Sequence, residues 1–349
     1  MKLGRLLTYF IESEIMQMTP GALRDYLRGI VAADIQLSLM IWGPPGIGKS
    51  TIVAGVAEEH GLEFVDLRLS QLAPTDLRGL PVAENGLSKW FPPEFLPTGG
   101  KGILFLDEIN MAPPAMQGVA QQLILDRKVG NYTVPTGWFI WAAGNRKEDK
   151  AAVYQMPSAL ANRFMHLEIT PDFDSFKLWG LQNEISEELL SFLAFRPSLL
   201  HKIHDKHPAW PSPRSWDMAD KLFKANLSVE PAVGHATDEF NAFLAVYASL
   251  PDLDGILAGK SKTSFPDEPS RRYATTLGLV VRSKTAGNAF HAVKWIAENA
   301  DAEWLQFFIT ALFPVLRENG QMAPTMKLMA GDANLKSITS KIRDLLLSF

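Results

Sequence analysis

The chain has 349 residues, of which 47% are hydrophobic and 21% are charged, proportions that are typical of a globular protein with a sizeable core. The formal net charge of -4 provides no overall attraction to nucleic acid or to an anionic membrane, so nucleic-acid binding is disfavoured. The chain has no cysteine, which excludes disulfides, thiolate catalysis and cysteine metal sites.

The first segment, residues 1–18, is apolar without a regular period, and its sequence leaves open whether it packs on the core. Glu12 and Glu14 stand where a secretory signal peptide would be uncharged. No stretch approaches the roughly 18 consecutive apolar residues of a membrane span. We therefore expect a soluble, cytoplasmic protein. Thr19 and Pro20, an N-cap residue and a first-turn proline, then predict the start of a helix.

A glycine-rich stretch follows the first predicted strand, residues 37–42. Residues 43–50 match the phosphate-loop pattern G-x-x-x-x-G-K-[ST], and residues 50–59 have the helical periodicity that should follow it. In such loops backbone N–H groups surround the β-phosphate, Lys49 can reach the β- and γ-oxygens, and the Ser50 hydroxyl can ligate Mg²⁺. The predicted nucleotide-binding residues are Gly43, Pro44, Pro45, Gly46, Ile47, Gly48, Lys49, Ser50 and Thr51.

A second strand is predicted at residues 63–67, followed by a long irregular stretch at residues 70–100 that contains five prolines. A structureless loop of this length inside a compact domain is usually functional. Trp90 and Phe91 lie within it, either as core anchors or as contacts to a substrate, and the sequence favours neither.

Two adjacent carboxylates end the next predicted strand, residues 102–107. Because ligands bind at the carboxyl ends of parallel strands, Asp107 and Glu108 should both face the phosphate loop. Asp107 suits Mg²⁺ held together with Ser50, and Glu108 suits the base that deprotonates the attacking water. The alternative is that the pair only caps the helix that starts near Pro113.

Residues 128–138 predict a short hairpin, and residues 138–142 predict a further buried strand that leads to Asn145. At this strand end a carboxamide could hold the water or the γ-phosphate, although Asn145 could equally be a turn residue. Residues 165–169 alternate apolar and polar side chains, which predicts a strand with one buried face.

Beyond Pro171 helical periodicity replaces the strand pattern. Ser212 and Pro213 predict a helix start that places Arg214 in the first turn, where a cation opposes the helix dipole by about 0.3–1 kcal/mol unless an anion lies nearby. Arg214 is therefore a candidate phosphate sensor, with simple pairing to Asp217 as the alternative. The last third remains helical in pattern, ending with an apolar series at Leu335, Ile338, Ile342, Leu345 and Phe349.

Together these motifs resemble those of AAA+ ATPases, and within them the MoxR family and the surrounding dynein-related branch. The resemblance covers residues 19–257. Its motifs are GPPGIGKS at 43–50, LDEIN at 106–110, AAGNR at 142–146, ALANRF at 159–164 and SPRSW at 212–216.

The resemblance implies a five-stranded parallel sheet flanked by helices (residues 1–171), a helical lid (172–259) and a helical C-terminal extension (260–349). It implies ATP and Mg²⁺ as cofactors and an active site between subunits of a ring, usually a hexamer, in which Arg163 reaches a neighbour's γ-phosphate. Residues 74–96 and the hairpin at 128–137 would decorate the pore or upper surface. MoxR relatives act as chaperones, commonly with a protein that carries a von Willebrand factor A-type domain.

Three functions are consistent with these patterns. The first is an ATPase that remodels or activates a partner protein; the second is a nucleic-acid motor or restriction-type nucleotidase, in which GTP could replace ATP. The third is a nucleotide-gated scaffold with little turnover, and the presence of Glu108, Asn145 and Arg163 argues against it, because a scaffold needs none of them.

Overall fold

The computed structural model describes residues 16–146, 149, 153–204, 207–247, 249–332 and 335. The chain divides into two compact units, residues 1–172 and residues 173–349. No helix within the described ranges is long and apolar enough to cross a membrane.

The described strands all lie in the first unit. They are β1 (Met16–Met18), β2 (Leu39–Trp42), β3 (Glu63–Arg68), β4 (Leu80–Glu84), β5 (Leu87–Phe91), β6 (Gly102–Asp107), β7 (Lys128–Val129), β8 (Tyr132–Thr133), β9 (Trp138–Gly144) and β10 (Met165–Ile169). Six of them form one parallel sheet in the order β1-β10-β2-β9-β6-β3. The other four form two antiparallel hairpins, β4–β5 and β7–β8.

Helices cover both faces of the sheet. Those of the first unit are α1 (Pro20–Ala32), α2 (Lys49–Glu59), α3 (Pro74–Arg78), α4 (Pro114–Asp126) and α5 (Ser158–Ala161). On one face α1 and α2 pack on side chains such as Ile41 and Trp141, and on the other α4 packs on side chains such as Leu104 and Ile140. Burial on both faces explains why the central strands are continuous apolar runs rather than alternating ones.

The second unit is helical and has one continuous core. Its helices are α6 (Phe173–Gln182), α7 (Glu187–Phe195), α8 (Pro213–Lys224), α9 (Glu230–Val233), α10 (Ala236–Tyr247), α11 (Leu253–Leu257), α12 (Pro269–Arg282), α13 (Ala286–Asn299), α14 (Ala302–Glu318) and α15 (Met322–Gly331). Of the apolar series predicted at the end of the chain, Leu335 is described and 1% exposed, and Ile338, Ile342, Leu345 and Phe349 lie outside the described residues.

The predicted fold class, a parallel α/β sheet followed by helices, is confirmed, with a short sixth strand at the edge where β1 pairs with β10. The prediction of an irregular stretch over residues 70–100 is wrong, because α3 and the β4–β5 hairpin lie within it. Pro81 is compatible with strand β4 because both strands of a two-stranded ribbon are edges.

Candidate functional site

The phosphate loop joins β2 to α2. Gly46 and Gly48 have φ angles of 77° and 97°, a left-handed region that side-chain-bearing residues rarely adopt. At Gly43 a Cβ atom would lie 2.9 Å from the carbonyl oxygen of Ile169, so only glycine fits beside the end of β10. The sequence thus permits the loop conformation that directs backbone N–H groups towards a phosphate.

Lys49 connects this loop to the neighbouring strand. Its Nζ donates to the carbonyl oxygens of Gly43 at 2.7 Å and Pro44 at 3.1 Å, and to Oδ1 of Asn145 at 3.0 Å. Asn145 directly follows β9, which pairs in parallel with β2, so the sheet register brings the two predicted site residues together. Asn145 is therefore within hydrogen-bonding reach of the lysine that would bind the β- and γ-phosphates.

Asn145 is held by a buried partner. The side chain of Asn110 donates to the carbonyl oxygen of Asn145 at 2.7 Å and accepts from its N–H at 3.2 Å. Asn110 is 3% exposed and Asn145 is 9% exposed, so water does not compete for these bonds. The motif at residues 106–110 contains Asn110 but indicates no role for it, and the structure shows that its side chain clamps the backbone of the candidate sensor.

The two carboxylates lie at the carboxyl end of β6, as predicted. Oδ1 of Asp107 accepts from the N–H of Glu108 at 2.9 Å, and burial raises the pKa of Asp107, an effect that the charge of Lys49 opposes. Glu108 has a φ of 55°, and its Oε2 accepts from the Ser70 hydroxyl at 2.5 Å. Ser70, which lies just beyond β3, was not predicted as a site residue.

Ser50 and Thr51 are the second and third residues of α2, and both are at least partly exposed. The Ser50 hydroxyl and the Asp107 carboxylate supply oxygen donors, the ligand type that Mg²⁺ prefers. The donor chemistry therefore fits the predicted metal site.

Arg146 joins the ends of β9 and β10. It forms hydrogen-bonded ion pairs with Glu168 at 2.6 Å and with Asp149 at 2.8 Å. These hydrogen bonds raise the pKa of Arg146, and the bond to Asp149 has the larger effect. Glu168 is 9% exposed, so the prediction that the polar residues of β10 face solvent is wrong for this residue. The ion pair explains the burial, because a carboxylate leaves water only when it is paired.

The two predicted arginine sensors are both exposed. Arg163 lies in the turn after α5, and Arg214 lies in the first turn of α8 in the second unit. In the described part of the chain neither guanidinium has an ion-pair partner. Asp217, the alternative partner of Arg214, pairs instead with Lys221 at 2.7 Å.

Comparisons with known proteins agree with this geometry. Residues 39–168 match the model of the ATPase family associated with various cellular activities (AAA). Midasin of Giardia intestinalis is 27% identical over 179 residues, covering 47% of this chain and 4% of that protein. The replication factor C large subunit of Methanococcus maripaludis is 26% identical over 92 residues, covering 26% of this chain and 18% of that protein.

Among solved structures, NtrX from Brucella abortus in complex with ADP is 15% identical and covers 86% of this chain and 68% of that chain, with a TM-score of 0.41. The chain spans less than a fifth of the two sequence relatives named above. The family match and the site agree on the same segment. Residues 39–168 are similar to an AAA ATPase domain, and they contain the phosphate loop, Asp107, Glu108 and Asn145.

Proposed function

We propose that the chain hydrolyses ATP at sites shared between neighbouring copies in a ring, most simply a hexamer, and uses the cycle to remodel or activate a partner protein. The observation that carries the proposal is the Lys49–Asn145 hydrogen bond of 3.0 Å at the sheet edge where Asp107 and Glu108 also lie. These side chains come from three separate parts of the sequence, and parallel strand pairing places them at one edge.

Each side chain has a distinct task in this proposal. Lys49 contacts the β- and γ-phosphates, and Asn145 orients the γ-phosphate or the attacking water. Glu108 accepts the proton of that water; in the described part of the chain its Oε1 accepts no hydrogen bond, so this oxygen is open to the water. Ser50 and Asp107 would hold Mg²⁺, which when bound neutralises charge on the phosphates.

Arg163 completes the site of a neighbour. Its exposure, and the absence of an ion-pair partner among the described residues, leave the guanidinium available to a second copy of the chain. The alternative is that its charge only complements the C-terminus of α5, which would affect stability by at most about 1 kcal/mol and leave turnover alone. An arginine finger instead contributes about 10³–10⁵ to turnover.

The remaining parts of the proposal follow the MoxR resemblance. Residues 172–259 act as the lid, with Arg214 contacting the γ-phosphate, and residues 260–349 extend it. The partner is a protein, and the resemblance favours one that carries a von Willebrand factor A-type domain. The chain works in the cytoplasm. The net charge of -4 supports a protein rather than DNA as the partner.

The test of the shared site is subunit mixing. Arg163→Ala chains keep their own phosphate loop and base, and Glu108→Gln chains keep the finger, so mixed rings contain some complete sites. Each variant alone should be inactive, and co-assembly should restore ATP turnover. Verified mixed rings that stay inactive would contradict the shared site, and stimulation of the wild type by DNA would contradict the protein partner.

A further inference from the structure

Two aromatic side chains connect the phosphate loop to the segment that carries Arg163. Trp42 ends β2 and directly precedes Gly43, and its indole Nε1 donates to Nδ1 of His166 at 2.9 Å. The other ring nitrogen, Nε2, lies 2.8 Å from the carbonyl oxygen of Ala161. The Trp42 and His166 ring planes are inclined by only 13°, with centroids 6.0 Å apart, so the two rings lie nearly in one plane, as the bond requires.

The chemistry of the partners assigns the proton positions along this chain of bonds. An indole N–H can only donate, so Nδ1 of His166 must accept. The carbonyl oxygen of Ala161 can only accept, so Nε2 of His166 carries the proton and donates. One neutral tautomer of His166 therefore satisfies both bonds, and each bond depends on the other.

At one end the contacts reach Arg163. Ala161 is the last residue of α5, a helix of only four residues, and the N–H of Arg163 donates to the carbonyl oxygen of Leu160 at 3.1 Å. A helix this short has little intrinsic stability, so its position depends on tertiary contacts. The His166 bond to Ala161 is such a contact, and it therefore helps to set where Arg163 lies.

At the other end the contacts reach the nucleotide site. Lys49 Nζ has three N–H donors, and the bonds to Gly43, Pro44 and Asn145 engage all three. Binding of a phosphate by Lys49 must release at least one of them. Two of the three acceptors are backbone carbonyls in the first two residues after Trp42, so this exchange acts on the backbone next to the indole.

We propose that Trp42 and His166 form a relay that couples the state of the phosphate loop to the position of Arg163 in the same chain, so that a subunit presents its arginine to the neighbour according to its own nucleotide. The relay rests on the proposed function, because it presupposes that Arg163 acts in a neighbour's site. Trp42 and His166 are positioning residues in this scheme, since neither touches the nucleotide.

Mixed rings can test the relay, because each variant can be placed in one kind of subunit. The mixed rings contain Glu108→Gln chains, which donate the finger, and Arg163→Ala chains, which hold the working site. In either chain, Trp42→Phe keeps an aromatic ring at position 42 and removes the indole N–H that donates to His166. Placed in the donor chain, it should lower the restored turnover at least about fivefold, the lower end of usual coupling between sites. Placed in the Arg163→Ala chain, it should change turnover less than about twofold, since that chain's finger is already absent.

His166→Gln is a second variant, which tests whether the bond from Trp42 to His166 is needed. A glutamine can still donate to the Ala161 carbonyl but has no acceptor at the position of Nδ1, so in the donor chain it should lower turnover as Trp42→Phe does. Full activity with His166→Gln would show that anchoring Ala161 suffices and would overturn the relay. Equal losses in both placements of Trp42→Phe, or no loss in either, would also overturn it.

Rings of the Glu108→Gln and Arg163→Ala chains, without further changes, distinguish failure of the relay from failure of the proposed shared site. If the two parent variants restore no turnover in rings verified by native mass spectrometry, the shared site itself fails and the relay falls with it. If they restore turnover and the Trp42 and His166 changes have no placement-dependent effect, only the relay is refuted.

Discussion

Replacing Asn110 by alanine should both loosen the first unit and slow hydrolysis. Asn110 is 3% exposed, and its side chain satisfies the carbonyl oxygen of Asn145 at 2.7 Å and its N–H at 3.2 Å. Alanine leaves both groups buried without a partner, and each such group costs about 1–3 kcal/mol. We therefore expect local unfolding of the strand that precedes Asn145 to become easier by about 2–6 kcal/mol.

Amide hydrogen exchange of β9 measures this free energy locally, which matters because a chain with two units need not unfold in a single transition. Asn131→Ala is a matched control: its side chain makes one long bond, 3.4 Å to the carbonyl of Trp90, at an exposed site. That control should change the exchange free energy of β9 by less than about 0.5 kcal/mol. A change below about 1 kcal/mol for Asn110→Ala, or no loss of ATP turnover, would refute the clamp.

Three further predictions concern the nucleotide and the effect of pH. Lys49→Ala should abolish nucleotide binding, whereas Glu108→Gln should bind ATP and not hydrolyse it, as equilibrium binding and turnover assays would show. Arg214→Ala should weaken ATP more than ADP by about 1.5–3 kcal/mol, because a charge-assisted contact to the γ-phosphate exists only in the triphosphate, and equal losses in calorimetry would indicate a structural role. Burial raises the pKa of Tyr132 to about 12, above the value near 10 of the unfolded chain, so the folded state should lose stability as pH rises from about 10 to about 12. Denaturation of Tyr132→Phe should lack that fall, although the variant should be less stable at neutral pH because the Pro97 carbonyl loses its 2.7 Å bond.

Local patterns predicted the elements on which the site is built. Residues 102–107 were predicted as a strand, and β6 has those bounds. Thr19 accepts from the N–H of Ala22 at 3.2 Å and caps α1 as predicted. The pairing of parallel strands then accounts for the meeting of Lys49 with Asn145, because ligand-binding residues follow the carboxyl ends of strands.

The β4–β5 hairpin does carry a local signal in the sequence. Asn85 and Gly86 have φ angles of 52° and 78° and form the two-residue turn between β4 and β5. An Asn-Gly pair between apolar runs is the strongest short-range signal of a hairpin, and it was present in the sequence. The prediction of an irregular stretch rested on the prolines in residues 70–100. A proline is nevertheless compatible with an edge strand, so these prolines do not exclude a hairpin.

Other site residues carried no local signal. Ser70 lies 38 positions from Glu108, and the two meet because β3 and β6 are neighbours in the sheet. Arg146 lies 22 positions from Glu168 and follows β9, and it reaches Glu168 of β10 past β2, the strand that lies between β9 and β10. Periodicity assigned Glu168 to solvent, since it could not reveal that the half-buried Arg146 pairs with it. Which residue pairs with a buried charge depends on tertiary structure. Local patterns in a single sequence do not show which distant residue that will be.

ATP turnover per chain, measured across a dilution series with the assembly state followed by mass photometry, tests the central claim most directly. A site completed by Arg163 of a neighbour predicts that turnover per chain rises with assembly and is nearly absent in monomers. The Arg163→Ala chain should assemble over the same concentration range and remain about 10³–10⁵ times slower. Turnover per chain that stays constant down to the monomer, or an Arg163→Ala chain as active as the wild type, would contradict the claim.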